Sequence, residues 1–349
     1  MLMNEVTRPA RGQLAAPFAL HRGALTAAVV CLLAVAPTGW SQPVAGSMEV
    51  HWDEGAADCT STPSDPIQVH RYEPQTLILR TDLCRHFEGN FLYLLIGSER
   101  SLLIDTGPVA DAREMAVAKT VLGLLPRQDN PRFPLLVVHT HEHRDHWAGD
   151  TQFARLPAVQ VVSPDFETMR AFFHFDAWPS GIARIDLGDR WVDVIPTPGH
   201  TSAHIVYYDE RTGLLLSGDF LLPGRLTIED TDAYVKSAKR VVDFARQHPI
   251  RYVLGSHIEL DVGGALYSEG SHFHGRERAL QLTLDDVLVL QAALGHFNGF
   301  YARYPDFVLT HPFHNLSGLG GAVAALVLII ALAVRRHFGR RRRHRVGTL

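Results

Sequence analysis

Residues 140–146 read Thr140-His141-Glu142-His143-Arg144-Asp145-His146, three imidazoles and a flanked carboxylate in one short run. They follow Leu135-Leu136-Val137-Val138, a continuous apolar run of the kind a buried strand shows, so the cluster sits where a strand ends. In extended backbone alternate side chains share a face, so His141, His143 and Asp145 can converge while Glu142 and Arg144 point away. His146 can then turn toward a second centre as the chain enters a helix. Imidazoles and carboxylates are ligands for a divalent metal. Placed together as a bland polar patch they would be costly to bury. A histidine-rich surface loop would explain this run by itself; three later segments change the balance.

Pro196-Thr197-Pro198-Gly199-His200-Thr201 follows an apolar run and puts His200 on a tight Pro/Gly turn. Leu214-Leu215-Leu216-Ser217-Gly218-Asp219 ends another such run with Asp219 at its tip, and Tyr252-Val253-Leu254-Gly255-Ser256-His257 does the same for His257. Each segment alone is weak. Together, in this order, they resemble the metallo-β-lactamase superfamily over roughly residues 67–257, and HxHxDH is among the more specific short metal motifs. The resemblance implies that His141, His143 and His200 bind one metal, that Asp145, His146 and His257 bind a second, and that Asp219 bridges them. It also implies that Asp105, in Leu103-Ile104-Asp105-Thr106-Gly107, supports the ligand loop through hydrogen bonds. Flavodiiron relatives place a carboxylate where His143 stands, which weakens a redox reading. The β-lactam-cleaving classes generally lack an acid at the Asp219 position, whereas the glyoxalase II-like branch has one. β-Lactam hydrolysis is therefore not the first expectation.

Nitrogen and oxygen ligands without thiolate suit zinc, with iron or manganese as alternatives, because affinity alone does not decide occupancy. Two divalent ions roughly 3.5–4 Å apart can hold a shared water as hydroxide near neutral pH, and that hydroxide attacks a carbonyl. The leading expectation is an exported dinuclear hydrolase of a small-molecule ester, thioester, lactone or amide, with Asp145 as a catalytic residue. The alternatives are a mononuclear-iron sulfur dioxygenase and a non-catalytic metal-binding protein on the same fold. Substrate candidates follow His257 on a Gly-rich loop with Glu259: Tyr267, His272, His274 and Arg276. An exposed polar loop accounts for them at least as well. Phe172-Phe173-His174-Phe175 with Trp178 could form an apolar lid, or simply pack in a core.

The elements that must position these residues alternate short β-rich runs with helical stretches. Strands are predicted at 76–80, 91–96, 101–105, 135–139, 159–163, 191–195, 205–208, 214–217 and 252–254. Helices are predicted at 110–125, 151–156, 232–247 and 283–297, the last opening with Thr283 and Asp286 in capping-box spacing. Runs of strands interrupted by helices point to an α/β sandwich with helices outside two sheets. The family resemblance makes this the four-layer αββα fold, with the metals at one edge between the sheets. The expected organisation is an exported N-terminal segment over 42–66, a catalytic domain over 67–300 and a linker over 301–315.

Both ends of the chain bear on where that domain works. Residues 24–36 are uncharged and follow Arg22, so 1–41 are expected to be a signal peptide cleaved after Ser41. Residues 316–334 carry no charge, close to the roughly 20 residues that span a bilayer. Seven arginines in 335–349 mark the cytoplasmic side. Two readings stay open for 316–334: a membrane anchor, or a sorting helix cut by a protease near Gly320-Gly321. Either places the domain outside the cytoplasm, in the periplasm or on the outer surface. There Cys59 and Cys84 can pair, worth roughly 3 kcal/mol by chain entropy, or remain two buried thiols.

Net charge is −4, but 1–41 carry +2 and the last fifteen residues +7, leaving −13 on the body. A body so acidic repels a polyanion, which argues against nucleic acid as a partner and leaves a small molecule. With 46% apolar and 20% charged residues the composition is that of a globular protein.

Overall fold

In the computed structural model, residues 42–332 are described apart from 63, 313, 319, 322 and 324. The expected signal peptide at 1–41 and basic tail at 335–349 lie outside the described residues.

The first sheet holds β1 (Ile67–Glu73), β2 (Thr76–Thr81), β3 (Phe91–Ile96), β4 (Ser101–Ile104), β5 (Leu135–Val138) and β6 (Val159–Val161), side by side in chain order. β1 to β4 run antiparallel, while β4, β5 and β6 run parallel. The crossovers hold α1 (Val117–Leu124) and the single turn α2 (Arg144–Trp147). After α3 (Phe166–Phe172), the second sheet takes β7 (Ala183–Asp186), β8 (Trp191–Pro196), β9 (Ile205–Asp209) and β10 (Leu214–Gly218). β11 (Arg225–Thr227) and α4 (Thr231–Ala245) lead to β12 (Tyr252–Gly255) and β13 (Gln281–Leu282), giving the order β13-β12-β10-β9-β8-β7. α5 (Leu284–Leu294) follows, then β14 (Tyr301–Arg303) and β15 (Val308–Thr310), which join β11 in a small third sheet.

Alternation along the strands separates the layers. Ile78, Phe91, Tyr93, Ile104 and Val138 of the first sheet meet Val194, Ile205, Tyr207, Leu216 and Leu254 of the second in one core. Their neighbours turn outward: Leu77, Leu94, Leu103 and Val137 pack on Val117 and Val121 of α1. Ile195, Val206, Leu215 and Val253 pack on α4 and α5 through Tyr234, Val241 and Leu290. Central strands covered on both faces have no polar side, which is why they read as unbroken apolar runs. Truncating one of these leucines to alanine should cost about 2–5 kcal/mol. Arg190 clamps one edge between the sheets. Its fully buried guanidinium donates to both oxygens of Asp209 at 2.7 Å and to the Gln75 carbonyl at 2.8 Å.

Several expectations shift. The helix predicted from 110 begins at Val117, because Pro108 and the turn at 112–114 precede it. The helix predicted over 151–156 is a 3₁₀ turn at Ala148–Gln152 that continues α2. The capping box at Thr283 and Asp286 is present, the Asp286 carboxylate accepting from the Thr283 N–H at 2.7 Å. Residues 301–310, expected to be a linker, supply β14 and β15, and Trp52 from the expected leading segment is buried against Phe91 in the central core. Cys59 and Cys84 form a disulfide. The aromatic run is core and not lid: Phe173 and Phe175 are buried there, with Phe172 and Trp178 packed against them.

Among the described residues no helix is long and apolar enough to cross a membrane. In the segment predicted to span, the described residues between 316 and 332 are helical. Residues 319, 322, 324, 333 and 334 of that segment lie outside the described residues.

Candidate metal centre

All seven candidate ligands converge where strands of both sheets end. β5 delivers His141 and His143, and α2 turns Asp145 and His146 inward one step later. Two glycines set the next two. Gly199 holds φ +139 with no room for a Cβ, which would meet the Tyr234 backbone at 2.6 Å, and the turn it permits presents His200. Gly218 holds φ +54, where a Cβ would meet Thr140 at 2.7 Å, and Asp219 follows it off β10. His257 comes off β12, the parallel neighbour of β10.

The residues fall into two sets, His141, His143, His200 and Asp219 in one and Asp145, His146 and His257 in the other. His200 Nε2 lies 3.2 Å from His141 Nε2 and 3.1 Å from His143 Nδ1. Nitrogens bound at about 2.0–2.1 Å to a tetrahedral zinc stand about 3.3 Å apart, so this spacing fits a shared ion. Asp219 divides between the sets: Oδ2 is 3.6 Å from His200 Nε2, while Oδ1 is 3.7 Å from His146 Nε2 and 3.6 Å from His257 Nε2. Those separations are too long for hydrogen bonds. Asp219 Oδ1 is buried and has no hydrogen-bond partner among the described residues, a costly state that a cation would relieve.

The outer nitrogens fix the rings. His200 Nδ1 donates to the Thr227 carbonyl at 2.8 Å and His257 Nδ1 to the Glu88 carbonyl at 2.8 Å, which leaves each Nε2 pointing inward. His146 Nδ1 donates to Asp105 Oδ2 at 2.9 Å. Asp105 also accepts from the Thr140 N–H at 2.8 Å and the Thr140 hydroxyl at 2.9 Å. It does so from φ +65, a left-handed conformation that aspartate tolerates better than most residues.

Burial, with neighbouring imidazoles adding to it, holds His141 well below its ordinary pKa; burial lowers His200 to about 4 against the pull of Asp219. For His257 burial acts in the same direction, but Asp219 and Asp145 outweigh it and raise the pKa to about 10. His146 is likewise raised well above its usual value, with Asp145, Asp219 and Asp105 overcoming burial.

The metallo-beta-lactamase superfamily profile matches residues 87–257, the span that holds all seven ligands. The chain belongs to that superfamily. Acyl-coenzyme A thioesterase MBLAC2 of Gallus gallus is 29% identical over 217 residues, covering 52% of this chain and 77% of that protein. Hydroxyacylglutathione hydrolase of Anaeromyxobacter dehalogenans is 32% identical over 140 residues, 40% of this chain and 49% of the relative. The chain thus spans about half the length of the latter. A solved metallo-beta-lactamase from Pontibacter korlensis aligns with a TM-score of 0.44 at 17% identity, covering 66% of this chain and 100% of that one. The relatives are named as hydrolases, and the chain is an enzyme of the metallo-β-lactamase-fold hydrolase class.

In this member of the superfamily the centre opens on a cavity of about 460 Å³ walled by 267–271, with His274, Thr310 and Pro312. Of the four substrate candidates, Tyr267 and His274 line it, stacked with ring centroids 4.2 Å apart. His272 and Arg276 are not among its lining residues. His272 Nδ1 is held by the Leu83 carbonyl at 2.6 Å, and the Arg276 N–H by Glu54 at 2.7 Å. Sequence reading missed three contributors. Asn90 donates to Asp145 Oδ2 at 2.9 Å; buried His204 accepts from the Asp219 N–H at 3.3 Å; Glu142 accepts from Thr201 at 2.7 Å, tying two ligand loops together. His204, four residues after His200, was the only one with a signal in its residue type.

Proposed function

We propose that the protein is an exported dinuclear hydrolase of small-molecule thioesters or related esters, lactones and amides, with zinc in both sites. The observation that carries this reading is Asp219, whose two oxygens face two separate ligand sets. Two ions held there would supply a nucleophilic water near neutral pH and polarise the scissile carbonyl. The remaining work belongs to the chain. His141, His143 and His200 would hold one ion and Asp145, His146 and His257 the other, while Asp105 bonds His146 and Asn90 bonds Asp145. Asp145, which lines the cavity, would be the carboxylate placed to accept a proton from a nucleophilic water. The 267–271 wall bounds the acyl compound to a cavity in the ordinary small-molecule range.

The relatives named as thioesterase and hydroxyacylglutathione hydrolase favour thioesters among these substrates. Export rests on the segment at 24–36 and is supported by the Cys59–Cys84 disulfide, a bond of oxidising compartments. Anchoring through 316–334, or removal by a sorting protease at Gly320-Gly321, rests on the sequence pattern, and fractionation with mass analysis of the mature chain tests it.

The decisive experiment is metal analysis of full-length protein purified without added metal, coupled to thiol release from a neutral thioester. Two ions per chain with turnover is the expected result. One iron per chain with oxygen uptake on a persulfide would replace this reading with a sulfur dioxygenase.

A further inference from the structure

We propose that the cavity selects acyl substrates bearing a positive charge, an amine or quaternary ammonium beside the scissile group, over anionic thioesters. This rests on the hydrolase reading and names its substrate class. The metal ligands form the floor, where the acyl oxygen must sit, so the rest of the substrate meets the outer wall. The lining residues include Glu88, Glu259 and Glu269, from three separate segments; Arg225 neutralises Glu259, which leaves Glu88 and Glu269 as the wall's carboxylates. Arg225 is the one arginine or lysine among the lining residues, and it is already engaged. Its Nη1 pairs with Glu259 Oε1 at 2.8 Å, its Nη2 donates to the Tyr267 carbonyl at 2.5 Å, and its backbone N–H bonds Glu259 Oε2 at 2.5 Å.

Recognition of a phosphate or carboxylate calls for a charged donor free to form paired hydrogen bonds. Arg225 is spent on holding the wall together. The chain has three lysines, Lys119, Lys236 and Lys239, on helices and away from the lining. Coenzyme A and glutathione, the carriers in the relatives' names, are both anionic, and this wall offers neither one a free cationic grip. A cation meets the opposite situation. Two aromatic rings, Phe87 and Tyr267, stand beside the carboxylates, and a cation over an aromatic face gains further. The −13 charge on the body of the chain extends the same field outward. A cleft lined by one sign of charge enriches the opposite sign locally.

The test compares three thioacetates on the full-length metal-loaded enzyme: acetylthiocholine, its neutral isostere S-(3,3-dimethylbutyl) thioacetate, and acetyl-coenzyme A. The cationic compound should exceed the neutral one in kcat/KM by roughly tenfold, the lower end of enrichment in a charged cleft, with the anionic one lowest. High salt and Glu269→Lys should each shrink the cation-to-neutral ratio severalfold. Acetyl-coenzyme A matching or exceeding acetylthiocholine overturns the proposal, as does a ratio that Glu269→Lys leaves unmoved. Failure to cleave any of the three thioacetates would instead sink the hydrolase reading. Calorimetry then still decides selectivity: choline binding more tightly than 3,3-dimethyl-1-butanol upholds it, and equal binding overturns it.

Discussion

The two halves of the candidate centre reach the same ligand chemistry through opposite electrostatics. His141 and His200 lie in surroundings where burial dominates, so both rings are neutral at neutral pH with a lone pair turned inward. His146 and His257 face Asp145 and Asp219, and there the carboxylates outweigh burial, so each ring holds a proton until a cation displaces it. The first half is ready for metal, whereas the second must exchange protons for it. Metal uptake at such a site is therefore linked to pH, and the two halves should fill in order as pH rises.

The largest effect should come from the residue the halves share. Asp219→Ala is expected to lower kcat/KM by roughly 10³-fold, on the scale of several kcal/mol of lost charge stabilisation, and to reduce metal content in both halves. Full metal content in that variant would mean the halves are independent. Next come variants confined to one half: His200→Ala and His257→Ala should each leave about one ion per chain by elemental analysis, a loss set by one incomplete ligand set. If either empties both sites, the division into two sets is wrong. Changes one contact further out are smaller. Asn90→Ala and Asp105→Asn should each weaken metal affinity or activity by roughly 10–100-fold, the usual scale for partners that orient a ligand.

The smallest effect tests the electrostatic contrast directly. Zinc added to metal-stripped protein near neutral pH should release protons, seen as a buffer-dependent heat in calorimetry, and His257→Ala should release fewer. The sign for stability is equally definite. The folded pKa of His257 is raised to about 10 from an ordinary 6.5, so its charged form stabilises the stripped protein fully below the unfolded value. That contribution is lost as pH rises through about 10, and the melting temperature should fall over that window more in the parent protein than in His257→Ala. An equal fall in both would show that the carboxylates do not hold that proton.

Ligand identity was legible in the chain because metal chemistry admits few residue types and strand ends are readable from apolar runs. His141, His143, His200, Asp219 and His257 each follow such a run, and the structure brings them together with Asp145 and His146. A sandwich of two sheets with helices outside was legible for a similar reason, since doubly covered strands must be apolar throughout, whereas the αββα order came from the family resemblance. Asn90 was not legible: asparagine carries no metal signature, and it reaches Asp145 across 55 positions only through the sheet. Neither was the choice among Tyr267, His272, His274 and Arg276, because backbone carbonyls and Glu54 claim some polar groups before a substrate can.

By itself the sequence determined which side chains can bind metal, the strands that deliver them, and the acidity of the body, all properties of residue type and short-range periodicity. Tertiary structure supplied the distances by which Asp219, the bridge the resemblance implied, divides its oxygens between two sets, chose pairing of Cys59 with Cys84 over two free thiols, and alone tied Arg225 to Glu259 and the Tyr267 carbonyl. Those are contacts between residues far apart along the chain. Their geometry is set by how two sheets pack, which no local pattern encodes.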